Sequence, residues 1–210
     1  MKRKTHPMSK ERRRVLVSAY ACSPFKGSEP GVGWGFVQQL AKHYDLDVIV
    51  EEEKFRCDIE RWIVENPDDP VSEVRFHFVL KKRNRLLRRI WPPSYYWYYK
   101  RWHKDALALA RELHLEKPFD LVHQLTMVGY REPGYLSKLG IPFVWGPIGG
   151  AGSFPWRFLP TLGWKGALHY AGYNLINSFQ IRFTSRIRSA AMQAGTGLIA
   201  ATSENREAAR

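Results

Sequence analysis

The feature that most constrains this chain is a rhythm. Six short apolar runs are separated by segments too long for hairpin turns: Val15–Ala19, Leu46–Val50, Val74–Leu80, Phe119–His123, Ile141–Gly146 and Gly197–Ala201. Short apolar runs bounded by charge or turn residues predict buried strands. Val74–Leu80, "VRFHFVL", alternates with period two. The segments between carry apolar residues at helical spacing. These are Trp34, Val37, Leu40 and Ala41, then Ile59, Trp62 and Ile63, stopped by Asn66-Pro67. Ala106, Leu109, Ala110 and Leu113 follow, and later Leu175, Ile176, Phe179, Phe183 and Ile187 mark one long helix. Pro133–Leu139 predicts a short helix ended by Gly140, and Ser203 a cap for a last helix. A loop rich in Gly and Pro is expected from Gly146 to about residue 165. Strands alternating with helices need crossover connections. The expected fold class is therefore α/β, a doubly wound parallel sheet covered on both faces. Such sheets bind ligands beyond the carboxyl ends of their strands, where strand order reverses.

Two glycine-rich turns fall at that edge. "SEPGVGWGF", Ser28–Phe36, follows the first run and opens a helix. There glycine lets backbone approach a phosphate, and the helix start offers free N–H groups. Pro30 suits a helix start. The spacing is G-x-G-x-G, not the dinucleotide fingerprint G-x-G-x-x-G, and Glu51–Glu53 read as a solvated run rather than a ribose-binding acid. On pattern alone the turn is either a phosphate loop or a tight connection with packing glycines. "WGPIGGAG", Trp145–Gly152, follows the fifth run with the same two readings.

Two longer segments give these turns a context. "VLVSAYACSPFKGSEPGVGWGFVQQLAKHYDLDVIV" and "FDLVHQLTMVGYREPGYLSKLGIPFVWGPIGGAG" resemble, in the right order, the amino-terminal domain of glycosyltransferase family 4 proteins of the GT-B fold. The two segments, 15–50 and 119–152, spread the match over roughly residues 14–152. The resemblance implies a Rossmann-like amino-terminal half of a GT-B enzyme over residues 14–210, and the basic residues of 1–13 read as a disordered tail before it. It implies sugar transfer from a nucleotide-sugar with retention and without a bound metal or cofactor. The UDP- or GDP-sugar is a co-substrate, and the acceptor is a glycan or a lipid-linked sugar. By the same resemblance, Gly31 and Gly33 contact the donor diphosphate through backbone N–H groups. Ser28 and Glu29 line the acceptor side, and Gly149 and Gly150 shape the cleft wall. His123 matches a strand-end histidine that approaches the transferred sugar, unless it simply bonds a neighbouring loop.

The family's E-x7-E glutamate pair belongs to a second, donor-binding domain. Glu52/Glu60 and Glu65/Glu73 have that spacing but lie in an acidic stretch of the first half, and Pro133 to Ser203 contains no Asp or Glu. The sequence stops within the last expected helix, at "ENREAAR". The expectation is an amino-terminal half that needs a carboxyl-terminal partner domain and has little or no activity alone.

Charge suggests where it works. Thirty-three Lys and Arg face twenty Asp and Glu, a formal +13, which favours a polyanionic partner. Lys81 to Lys104 holds nine Lys or Arg and no acid, interleaved with seven Trp and Tyr. Arg88, Arg89, Trp91, Trp97, Lys100 and Arg101 are candidates for an anionic membrane surface. The same composition suits nucleic acid less well in this family context, and the aromatics can instead pack on the core. The basic start followed by "VLVSAYAC" has the order of a signal peptide, but its apolar run is short and broken by Ser18. No apolar run nears the roughly 20 residues of a membrane span. Cys22 and Cys57 form no ligand-spaced cluster. The expected setting is reducing and cytoplasmic, peripheral on the inner face of the cell membrane. The rival reading is a stand-alone basic Rossmann-like module that binds membrane or nucleic acid without catalysis.

Overall fold

The computed structural model describes residues 12–82, 85–90, 94–126, 129–150, 152–203 and 205, so the basic tail before residue 12 lies outside it. Six strands form one sheet: β1 (Arg14–Ala19), β2 (Asp45–Glu51), β3 (Arg75–Val79), β4 (Leu121–Thr126), β5 (Phe143–Ile148) and β6 (Leu198–Ala200). Every pairing is parallel and the order is β3-β2-β1-β4-β5-β6. The chain is thus an α/β protein with a Rossmann-like doubly wound sheet, and strand order reverses between β1 and β4.

Helices α1 (Ser28–Ala41) and α2 (Glu52–Glu65) carry the chain from β1 through β2 to β3. They meet through Trp34 and Trp62, whose rings lie 5.5 Å apart, edge to face. Helices α3 (Arg85–Ile90) and α4 (Ser94–Glu116) cross back to β4, and α5 (Gly163–Phe183) and α6 (Ser185–Ala194) link β5 to β6. β1 is buried along its whole length, as a strand covered on both faces must be.

The amino edge of the sheet is pinned by one carboxylate. Asp47 of β2 is fully buried and accepts from Arg14 Nε at 2.9 Å, Arg75 Nη2 at 2.8 Å and His77 Nε2 at 2.8 Å. Burial alone would raise its pKa. The hydrogen bonds from His77 and Arg75 and the two guanidinium charges outweigh this and hold the carboxyl well below the usual range.

Several boundaries differ from the sequence reading. β4 runs on to Thr126, so His123 is its third residue and not its end. The strand continues because its polar groups are served: Gln124 Nε2 donates to the Thr126 carbonyl, and Ala21 N donates to Thr126 Oγ1. Glu51 is buried, not solvated; its side chain accepts from Lys54 N and caps α2. Pro133–Leu139 yields only a 3-10 turn, Leu136–Leu139, ended by Gly140 at φ 79°. The expected loop contains a 3-10 helix, Trp156–Leu162, and α5 begins at Gly163. The single long helix is two helices, broken at Thr184, whose backbone is extended. Thr202, not Ser203, receives the hydrogen bond from Asn205 N.

Candidate functional site

The chain leaves β1 at the point of strand-order reversal and turns into α1. Gly33 is buried there. A Cβ on it would fall onto the Ala21 carbonyl oxygen and lie 3.4 Å from the Thr126 methyl. A Cβ on Gly31 would lie 2.8 Å from the Lys26 carbonyl. Gly33 therefore lets α1 seat tightly against the chain leaving β1, and Gly31 lets the Lys26 loop fold close onto the helix start. Gly35 meets nothing within 4 Å. Among the described residues no side chain caps this helix: Gly27 occupies the cap position and Pro30 has no N–H. Ser28 sits exposed at the first helical position with φ 57°, and Glu29 puts an acid in the first turn. The loop is closed by Ser23 N donating to the Pro30 carbonyl at 3.1 Å. Lys26 is tied away, its ammonium 2.6 Å from Asp58.

The second glycine loop leaves β5. His123 Nε2–H donates to the Gly146 carbonyl at 2.8 Å. The imidazole is buried, 5% exposed, and packs edge-on to Phe36 of α1 at 6.0 Å. Burial lowers its pKa, partly offset by the bond to Gly146, so the ring is neutral with the proton on Nε2. Gly149 pairs with Gly129, and Tyr130 N donates to the Gly149 carbonyl at 3.1 Å. Gly150 is exposed at φ 75° with open space around it. The two loops thus converge on the end of β4: Gly33 abuts Thr126, and Gly129, three residues on, carries Gly149.

A third element fastens this edge, and the sequence reading did not identify it. Asn174 and Asn177 of α5 are buried. Asn174 Nδ2 donates to the Phe154 carbonyl and its Oδ1 accepts from Phe154 N, both at 2.8 Å. Asn177 Oδ1 accepts from the Tyr130 hydroxyl and from Arg131 Nη2, and its Nδ2 donates to the Gly152 carbonyl at 3.3 Å. Gln180 accepts from Arg131 Nε at 2.6 Å. The available signal was Asn174, Asn177 and Gln180 at three-residue spacing. It was masked by the apolar residues on the other side of the helix.

The basic aromatic segment divides. Tyr99 and Trp102 are fully buried beneath α4, and Lys81 is buried with its ammonium donating to the Tyr20 hydroxyl at 3.0 Å. For these three, packing on the core is the outcome. Trp97 is 64% exposed, Arg89 and Arg101 are exposed, and Lys100 lies 3.6 Å from Glu132. Trp91 and the side chain of Arg88 lie outside the described residues. Beside Tyr99, His103 is buried with no hydrogen-bond partner on either ring nitrogen among the described residues. Burial, aided by the charges of Arg186 and Lys81, pushes its pKa down to about 3.

Among the described residues, no cluster of three or more His, Cys, Asp or Glu is arranged to hold a metal ion, and no helix is long and apolar enough to cross a membrane. Cys22 is buried and Cys57 exposed, both free, and burial pushes the Cys22 thiol well above its ordinary pKa. The chain matches no family model and no curated protein sequence.

Proposed function

We propose that this chain supplies the acceptor-side half of a retaining glycosyltransferase, which moves a sugar from a UDP- or GDP-sugar to a glycan or lipid-linked acceptor. The observation that carries the reading is the convergence of both glycine loops on the end of β4, beside the reversal of strand order. That is where doubly wound sheets receive ligands. The uncapped start of α1 offers main-chain donors and a positive dipole end to a diphosphate. In transfer, such donors stabilise charge as it builds on the leaving phosphate. Gly33 serves this by letting α1 seat close to the chain leaving β1 and Gly31 by letting the Lys26 loop close on the helix start, and Ser28 and Glu29 stand on its acceptor side. Gly149 and Gly150 form the facing wall.

His123 enters as a positioning residue. Its Nε2–H holds the Gly146 carbonyl, two residues before β5 ends at Ile148 and the second glycine loop begins. The nucleotide itself binds on a second domain in this reading. The test is transfer from UDP- and GDP-sugars by the 210-residue chain alone. Background turnover is expected, and robust transfer would overturn the division of the site between two domains.

A further inference from the structure

Helix α5 is built inside out. Its two buried residues, Asn174 and Asn177, are polar, because they satisfy the backbone of the Gly152–Phe154 loop and the side chains of Tyr130 and Arg131, and Ile181 packs half-buried on the core beside them. Most of its large apolar residues face away. Trp164, Leu168, Leu175, Ile176, Phe179 and Phe183 keep between 58% and 74% of their surface exposed. At 3.6 residues per turn these six fall within an arc of roughly 120° along the full helix. The 3-10 helix packed on the start of α5 adds Trp156 and Phe158, each more than half exposed. A stripe of this length is far from the scattered exposed side chains of an ordinary soluble surface.

The charge around it says what covers it. Arg157, Lys165 and Arg182 are exposed on the same two elements, and no Asp or Glu occurs from Pro133 to Ser203. A second copy of this chain would bring cations against cations, in a molecule already at +13. An anionic bilayer meets both properties: apolar and aromatic side chains enter the interface while Lys and Arg meet the headgroups. Glu132 also joins this surface to α4, accepting from Arg186 Nη2 at 2.7 Å and lying 3.6 Å from Lys100 Nζ. The exposed Trp97 turn of α4 is thereby linked to the α5–α6 junction.

We propose that the outer face of α5, with the 3-10 helix before it, is a membrane-docking surface for anionic lipid, lying flat in the interface. This does not rest on the glycosyltransferase reading, because docking is measured with no sugar present.

The experiment is co-sedimentation of the chain with vesicles of phosphatidylcholine alone and of phosphatidylcholine mixed with phosphatidylglycerol. Binding to the mixed vesicles is expected, weakening with added salt, with much less to phosphatidylcholine. Leu175→Glu with Phe179→Glu should cut partitioning on the order of tenfold or more. Val64→Glu, at an exposed apolar position on α2, should leave it unchanged. Circular dichroism verifies that each variant folds, and all three positions are exposed, so folding is expected. Absence of binding to the mixed vesicles, or unchanged binding by the α5 variant, overturns the proposal. So does a concentration-dependent dimer of the wild type that the α5 variant dissolves.

Discussion

The hydroxyl of Tyr130 donates to Asn177 Oδ1, which ties the loop after β4 to the inner face of α5. That bond, with those from Arg131 and to Gly152, explains why a helix with so many apolar residues turns its amides inward. Asn177→Ala removes the common partner of these groups and should cost about 1–3 kcal/mol. Ile176→Ala, one residue away but exposed, should change stability by less than about 0.5 kcal/mol. Urea denaturation of the two variants compares them directly. A larger loss for Ile176→Ala would show that α5 packs the other way round.

The glycines of the first loop should separate by mutation. Gly33→Ala drives a Cβ onto the Ala21 carbonyl and should destabilise by about 1–3 kcal/mol, as overpacking does. Gly35→Ala meets open space inside the same helix and should stabilise by about 0.5–1 kcal/mol. Opposite shifts in Tm are the expected result, and shifts of the same sign would argue against the close seating of α1.

The acid limb of stability should depend on Asp47. Its folded pKa is depressed, so its contribution is fully present above the unfolded carboxylate value of about 3.9. It is lost as pH falls from there through the folded pKa. Asp47→Asn leaves Arg14 buried without its countercharge and should cost about 3 kcal/mol at neutral pH. The variant's stability should also fall less than the wild type's between pH of about 4 and lower values. An unchanged acid limb in the variant would remove Asp47 from this role.

His103 gives a second, higher window. Because its folded pKa is depressed to about 3, stability should fall as pH drops below the unfolded histidine value of about 6.5 and the denatured chain takes up the proton. Among the described residues the buried ring has no hydrogen bond to lose, so His103→Leu should be neutral or stabilising at pH of about 7 and flatten the slope below it. Chemical denaturation across that range checks both. A large loss at neutral pH would mean that the ring nitrogens have partners.

The strands of the first half were legible because β1 and β2 are buried on both faces and read as short, mostly apolar runs bounded by charge. The end of β4 was not, since Gln124 and Thr126 are polar and only their bonds to Thr126 O and Ala21 N show why they lie in a strand. In α5 the apolar period marked a helix, but periodicity cannot say which arc faces the protein, and Leu175, Ile176, Phe179 and Phe183 turn outward. Glu51 looked like one of three solvated acids, because nothing in its spacing distinguishes a buried cap. Both glycine loops were found by composition. Their convergence on the end of β4 needed the strand order and the Gly129–Gly149 pairing.

The claim that these loops form one wall of a diphosphate site is tested most directly by amide chemical shifts of the isotope-labelled chain titrated with inorganic pyrophosphate. The account predicts saturable shifts at Ser28, Glu29 and Gly31 of the α1 start and at Gly149 and Gly150. No shift at those amides, or shifts confined to the exposed cations of α4, would contradict it.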